Sequence, residues 1–337
     1  MSSQLELTGY INEGKLGEGG MGKVWKCRDI VTNKLYAVKE MDMQDFKARR
    51  TQLIDRSHEL LEEYNSPFLV QYFKFCESDS GQKCFVFEYL PGGDLYHRLR
   101  KAEEVPRVVA VRWVREITSA LCYLHSKNLI HRDVKASNVM LTSTDLMLAS
   151  AKLSDFDTMR TINFGMTEGI GTDSHRAPET GTSLYNEKAD IWSLGCLTYG
   201  LLKRNANPFS KGDPANVRTG PNCQDLDPLA ADFIQRCLAY DPRSRPSASE
   251  LLQHRFLEAD NSLAIYLQSF VDNSLLQARS LSTFSLTDGY SVASNAYRSA
   301  LETLDVCRDR QVAGIEQLQA KVEELAALTT QLVRHIS

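Results

Sequence analysis

An excess of positive charge, paired cysteines and a long apolar run are all missing from this chain of 337 residues. Lys and Arg number 39 against 43 Asp and Glu, a formal net charge of −4, so nucleic acid is not an expected partner. The eight cysteines (Cys27, Cys76, Cys84, Cys122, Cys196, Cys223, Cys237 and Cys307) contain no C-x-x-C pair and follow no regular spacing. Scattered thiols in a chain long enough to bury its own core read as reduced, which points to the cytoplasm. Met1-Ser-Ser-Gln-Leu-Glu carries neither a basic nor an apolar segment, so no secretory leader is expected there. The most apolar stretch, Ile191–Leu202, is broken by Ser193, Gly195, Thr198 and Gly200. It is too short to span a bilayer and is expected as a buried helix, with no membrane as partner. What remains is average: 42% apolar and 24% charged residues exclude a collagen-like or a wholly disordered chain.

Patterning divides the chain. Residues 9–40 alternate apolar and polar positions and are rich in Gly, Val, Tyr and Trp, as twisted hairpins are. Residues 45–64 place Phe46, Leu53, Ile54, Leu60, Leu61 and Tyr64 at helical spacing, and 67–90 return to strand-like runs. From residue 94 helical patterns dominate, with loop-like sequence between 131 and 182. The join falls at Pro91-Gly92-Gly93, a turn-forming run. These patterns predict an N-terminal tail (1–8), a two-lobed domain (9–258, lobes 9–90 and 91–258), a Ser/Thr-rich linker (259–295) and a helix (296–337). That helix keeps one 3-4 register from Leu301 through Leu304, Ile315, Leu318, Val322, Leu325 and Leu332 to Ile336, broken at Arg308, Gln311 and Thr329. A coiled coil with a second copy or another partner is the first expectation, and a helix docked back on the globular part is the second.

Leu16-Gly17-Glu18-Gly19-Gly20-Met21-Gly22 contains G-x-G-x-x-G and runs on into a strand pattern, Val24-Trp25-Lys26-Cys27. The loop is therefore a hairpin able to fold over phosphates and not the opening of a dinucleotide-binding helix. Tyr36-Ala37-Val38-Lys39 ends an apolar strand on a Lys, which needs an anion if it faces inward. His131-Arg132-Asp133-Val134-Lys135-Ala136-Ser137-Asn138 follows, then Asp155-Phe156-Asp157, Gly171-Thr172, Ala177-Pro178-Glu179, Asp190-Ile191-Trp192 and Asp241-Pro242-Arg243-Ser244-Arg245-Pro246. In order and spacing this set resembles the eukaryotic protein kinases, and within them most resembles the NIMA-related (Nek) group.

The resemblance implies an α+β, bilobal fold and transfer of the γ-phosphate of MgATP to Ser or Thr of protein substrates. Gly17, Gly19 and Gly22 would cover the ATP phosphates, Leu16 would also contact ATP, and Lys39 would bind the α- and β-phosphates. Val24, Ala37 and Met140 would enclose adenine, with Phe87 as gatekeeper, Glu88 to Leu90 as hinge and Asp94 near the ribose. Asp133 would accept the substrate hydroxyl proton, and Lys135 would neutralise the transferring group. Asn138 and Asp155 would hold Mg2+. Thr167, with Thr161 and Thr158 behind it, would carry an activating phosphate read by Arg132. Glu179 with Arg245 would form a buried pair, and Asp190 would brace the catalytic loop.

Three departures stand out. Asp157 replaces the Gly that usually ends the metal-binding motif. Ser57 falls where the helical Glu partner of Lys39 is expected, with Glu59 two places away; Asp155 and Asp157 are the other carboxylates that Lys39 could meet. Gly171-Thr172-Asp173-Ser174-His175-Arg176 lacks the usual aromatic run, and residues 210–228 look shortened. A pseudokinase, a nucleotide-binding scaffold that signals by shape, is the competing reading.

Overall fold

Alternation of side chains across a pleated strand decides which residues of the first lobe share a face. In the computed structural model, β1 (Tyr10–Gly19), β2 (Gly22–Asp29), β3 (Leu35–Met41), β4 (Tyr72–Glu77) and β5 (Lys83–Glu88) form an antiparallel sheet in the order β1-β2-β3-β5-β4. Residues 5–19, 22–41, 66–101, 105–156, 160–161, 176–180, 185–203, 208–209, 217–218 and 220–257 are described, and beyond them 279, 290, 293–294, 297 and 315–336. The predicted helix at 45–64 with Ser57 and Glu59, Asp157, Thr158, Thr167 and 171–175 lie outside them. The register aligns Trp25 with Val38 and Val38 with Val86, one row of the buried outer face. Val24, Lys39 and Phe85 form the neighbouring row on the opposite face.

The outer face is covered by the chain's own start. Leu5 and Leu7 are buried against Trp25, Cys27, Val38, Cys84 and Val86, and Thr8 is tied to Asp79 through its amide and hydroxyl. Residues 5–8 therefore belong to the lobe, and the expectation of a tail over 1–8 is corrected. Leu5-Glu6-Leu7-Thr8 alternates with the strand period, which was the available signal.

The lobes meet through backbone. Val70 N donates to Leu153 O at 2.9 Å and Leu153 N to Phe68 O at 2.9 Å, while Leu90 to Gly92 forms the covalent crossing. Gly92 lies so close to the second lobe that a Cβ would fall 2.3 Å from Ser143 O; no side chain fits there. Beyond it come β6 (Gly93–Asp94), α1 (Leu95–Leu99), α2 (Arg107–Ser126), β7 (Leu129–Ile130), β8 (Val139–Leu141), β9 (Ala151–Leu153) and β10 (Arg160–Thr161). α3 (Lys188–Leu202), α4 (Pro228–Cys237) and α5 (Ala248–Leu251) complete the lobe. α2 buries a full stripe from Val109 to Leu124. α3, buried on nearly every side, contains the predicted apolar run. It packs against α4 through Gly195, where a Cβ would stand 2.7 Å from that of Cys237. The seven described cysteines are free thiols, and burial pushes Cys27 up to about 11 and Cys84 up to about 12.

Residues 258–337 make a second compact unit. Its helix α6 (Ile315–Ile336) buries Val322, Leu325 and Leu332, all on the predicted seam, within a single chain. Ala293 is fully buried, and Arg279 pairs with Glu324 of α6 at 2.7 Å. The stretch expected as linker thus contributes small apolar and charged groups to a folded unit. These three described positions of the expected seam are buried without a second copy. Hydrophobic periodicity marks a face that needs cover and does not say whose. Among the described residues no helix is long and apolar enough to cross a membrane.

Candidate active site

Glycines shape the roof of the cleft. β1 and β2 form the Gly-rich hairpin, with irregular register between Asn12 and Gly14 and again between Lys15 and Gly17. Gly22 has φ +144°, and a Cβ on it would fall 2.0 Å from Glu40 O, so packing alone demands glycine. At Gly17 and Gly19 nothing lies within 4 Å of an added Cβ. Those glycines are not required by the protein's own packing; they leave backbone amides open to close approach by a ligand. Leu16 beside them is about half exposed, an apolar side chain over the cleft.

Below the hairpin, β2, β3 and β5 set Val24 opposite Lys39 and Ala37 opposite Phe87 on the inner face. Phe87 packs at 5.7 Å from the ring of Tyr72 and 6.5 Å from Phe156. Leu90 of the crossing is buried. On the opposite side, β6, β8 and β9 place Asp94, Met140 and Lys152 in one cross-strand row. Asp94 caps α1, accepting from His97 N at 2.9 Å, and its other oxygen meets His97 Nδ1 at 2.7 Å. The residue assigned to the ribose is therefore also a helix cap.

The catalytic loop hangs from one buried carboxylate. Asp190, at the first turn of α3 and 1% exposed, accepts His131 N and Arg132 N at 2.8 Å each and His125 Nε2 at 3.0 Å. Burial pushes this carboxyl up, but the bonds and charges of His125 and His131 outweigh it and hold it below the usual range. Arg132 takes a left-handed backbone, φ +74°, between those anchors. His131 sends Nε2 to Ser154 O at 2.9 Å, and its Nδ1 lies 3.4 Å from Asp133 N.

Asp133 Oδ2 is 2.7 Å from Lys135 Nζ and 3.0 Å from Asn138 Nδ2, which also donates to Asp133 O. Ser154 binds Asn138 O through both its amide and its hydroxyl. Asp155 follows with φ +64°, and its Oδ1 lies 3.0 Å from Lys39 Nζ. One of the alternative partners of Lys39 is thereby seen. Phe156 packs its ring between Phe87 and His131.

Asn138 commits its amide nitrogen to Asp133, which leaves the amide oxygen as its donor to a cation; Asp155 adds a carboxylate. Two hard oxygen ligands below a Gly-rich hairpin with open backbone amides fit a hard divalent cation. No larger metal-binding cluster exists among the described residues. Arg132 rests its guanidinium over the Tyr185 ring at 5.6 Å, and Thr161 is placed by its backbone in β10 opposite Leu129. Glu179 and Arg245 form a fully buried bidentate pair at 2.6 and 2.8 Å, with Arg245 also stacked over Trp192.

Residues 10–257 match the protein kinase domain family. The chain belongs to that family. Members use ATP and a divalent metal, which suits the cleft just described. The chain is 33% identical over 277 residues to Sporulation-specific protein 1 of Saccharomyces cerevisiae, covering 78% of this chain and 55% of that protein. It is 31% identical to the serine/threonine-protein kinase sid1 of Schizosaccharomyces pombe, covering 76% of this chain and 55% of that one. With mouse Serine/threonine-protein kinase Nek4 the identity is 28%, over 74% of this chain and 32% of that protein. The chain thus spans about half or less of the length of these relatives. Within the kinase domain, sequence reasoning missed His125 as a support of Asp190 and Lys152 beside the hinge. Neither belongs to a motif that stands out when the chain is read linearly.

Proposed function

We propose that the protein transfers the γ-phosphate of MgATP to Ser or Thr hydroxyls of proteins. The observation that carries this reading is the convergence of Asp133, Lys135, Asn138, Asp155 and Lys39 from separate motifs onto one cleft. Asp133 accepts the proton of the acceptor hydroxyl as its oxygen attacks the γ-phosphorus and ADP leaves. Asn138 and Lys135 hold that carboxylate, and Lys135 also faces the charge on the moving phosphoryl group. Lys39 would shift from Asp155 to the α- and β-phosphates, and Asn138 and Asp155 would hold Mg2+, which would supply charge neutralisation to the phosphates. Leu16, Val24, Ala37 and Met140 enclose adenine against the backbone of 88–90.

A second reading, the pseudokinase, is favoured by the Lys39–Asp155 pair, because it occupies a metal ligand, and by Asp157 in place of Gly. Transfer of the γ-phosphate to a generic Ser/Thr protein, measured beside Asp133→Asn, separates the two. Activity that vanishes in Asp133→Asn while nucleotide binding persists supports the kinase; a wild type no faster than that variant supports the scaffold. Identities of 28 to 33% to kinases of several names give no preference for Nek-like substrates, so the proposal stops at Ser/Thr proteins. The scattered single cysteines support a reducing, cytoplasmic setting for this activity.

A further inference from the structure

Lys152 lies outside every motif, yet it stands at the floor of the cleft. On the β8–β9 hairpin Val139, Leu141, Ala151 and Leu153 are buried, while Met140 and Lys152, directly opposite in register, turn the other way. Lys152 Nζ reaches Glu88 Oε1 at 2.6 Å. The same oxygen accepts Gln71 N at 2.7 Å, and Glu88 N returns a bond to Gln71 O at 2.9 Å. Glu88 alternates with Phe87 along β5, so its carboxylate leaves the face opposite the gatekeeper and stays out of the adenine slot. One residue away, Val70 and Phe68 are bonded to Leu153 of the same hairpin. The hinge end of β5, the 68–71 segment and β9 are thus closed into a ring, and among the described residues Lys152–Glu88 is its ionic link. The two side chains are only 17% and 19% exposed, which puts the pair beyond the weak, screened class of surface bridges.

We propose that Lys152 is a positioning residue for the nucleotide: through Glu88 it fixes the height of the hinge backbone above Met140, and with it the width of the adenine slot. This rests on the kinase reading above. Hydrogen bonds from adenine to backbone weaken steeply with misplacement, so hinge height is an affinity determinant. Asp133, Lys135 and Asn138 lie on the loop that leads into β8 and is tied to this hairpin where Ser154 meets Asn138 O, whereas the side-chain bonds of Lys152 and Glu88 run to each other and to Gln71 N on the hinge side. Lys152 therefore acts on ATP binding and not on phosphoryl transfer.

Lys152→Met keeps the aliphatic stem and removes the charge. The expected result is a rise of about ten-fold in both the Kd and the KM for MgATP, with kcat at saturating ATP within about two-fold of wild type. Lys152→Arg keeps the charge and restores affinity to within about three-fold, and this variant also decides the matter should Lys152→Met fold poorly. Unchanged ATP affinity in Lys152→Met, or a loss confined to kcat, overturns the inference and leaves the kinase reading standing. A wild type that binds no MgATP overturns both.

Discussion

Arg132 and Asp155 both hold left-handed backbones at the heart of the cleft, φ +74° and +64°, and they are held very differently. Such a conformation costs a non-glycine residue about 1–2 kcal/mol, so each needs support from its surroundings. For Arg132 the support is Asp190, a fully buried carboxylate with three donors. At Asp155 the side chain is a third exposed and meets Lys39 across 116 residues of sequence. The 131–133 turn is anchored by a buried carboxylate, whereas the Asp155 side chain meets Lys39 in a partly exposed pair that, on the kinase reading proposed above, ATP would exchange. One half of the site is scaffold and the other half is a contact to be exchanged.

Asp190→Ala tests the scaffold half and carries the largest expected effect. It strands two amides and an imidazole N–H in a dry interior, at a cost of about 3–5 kcal/mol, read as a lower denaturant midpoint together with loss of phosphoryl transfer. Asp190 also has a pH signature. Its folded pKa lies below the ordinary 3.8, so its stabilisation is fully present above about pH 4 and is lost as pH falls through the folded value. Acid unfolding of Asp190→Asn is therefore less steep than that of the wild type below pH 4; equal slopes would contradict the account.

Asp155→Ala tests the other half. Transfer falls by about a thousand-fold or more, because a metal ligand is gone, while stability changes by less than about 1 kcal/mol, since the lost pair is partly exposed. A large drop in unfolding free energy would mean that Asp155 is scaffold too, and the distinction between the halves would collapse. His125→Phe ranks next. It removes one of the three donors to Asp190 at a cost of about 1.5–3 kcal/mol but keeps both amide bonds, so the loop should stay formed and active. Loss of activity out of proportion to that destabilisation would show the imidazole to be more than a support.

Much of this contrast could be read from the chain, for a physical reason. Each motif sits at the end of a strand or helix whose own periodicity is strong, so order and spacing carry Lys39, Asp133, Asn138, Asp155 and Asp190 onto particular elements before any coordinates exist. The outer row Trp25–Val38–Val86 and the buried α3 follow from alternation and from an apolar run. What could not be read is pairing between distant segments. Nothing local distinguishes Asp155 from Glu59 or Asp157 as a neighbour of Lys39, or announces that Lys152 meets Glu88. The seam of α6 makes the same point: periodicity marks Val322, Leu325 and Leu332 as a face that needs cover and does not name the residues that bury them.

The smallest effect sharpens the comparison most. If Asp155 is held by an exchangeable bond, a rival carboxylate near Lys39 should release it. Counting from Lys39 and from Pro67 puts Ser57 where the kinase family carries that rival, so Ser57→Glu restores the family's usual partner. Freed from Lys39, Asp155 is ready for metal before ATP arrives. A gain of about 1–2 kcal/mol in transition-state stabilisation raises kcat/KM roughly five- to thirty-fold. The gain should vanish in a Lys39→Met background, where there is no cation to compete for. Glu59→Ala supplies the counter-test: if it abolishes activity while Ser57→Glu changes nothing, then Glu59 already plays the rival's part and the Lys39–Asp155 bond is not what holds the resting enzyme back.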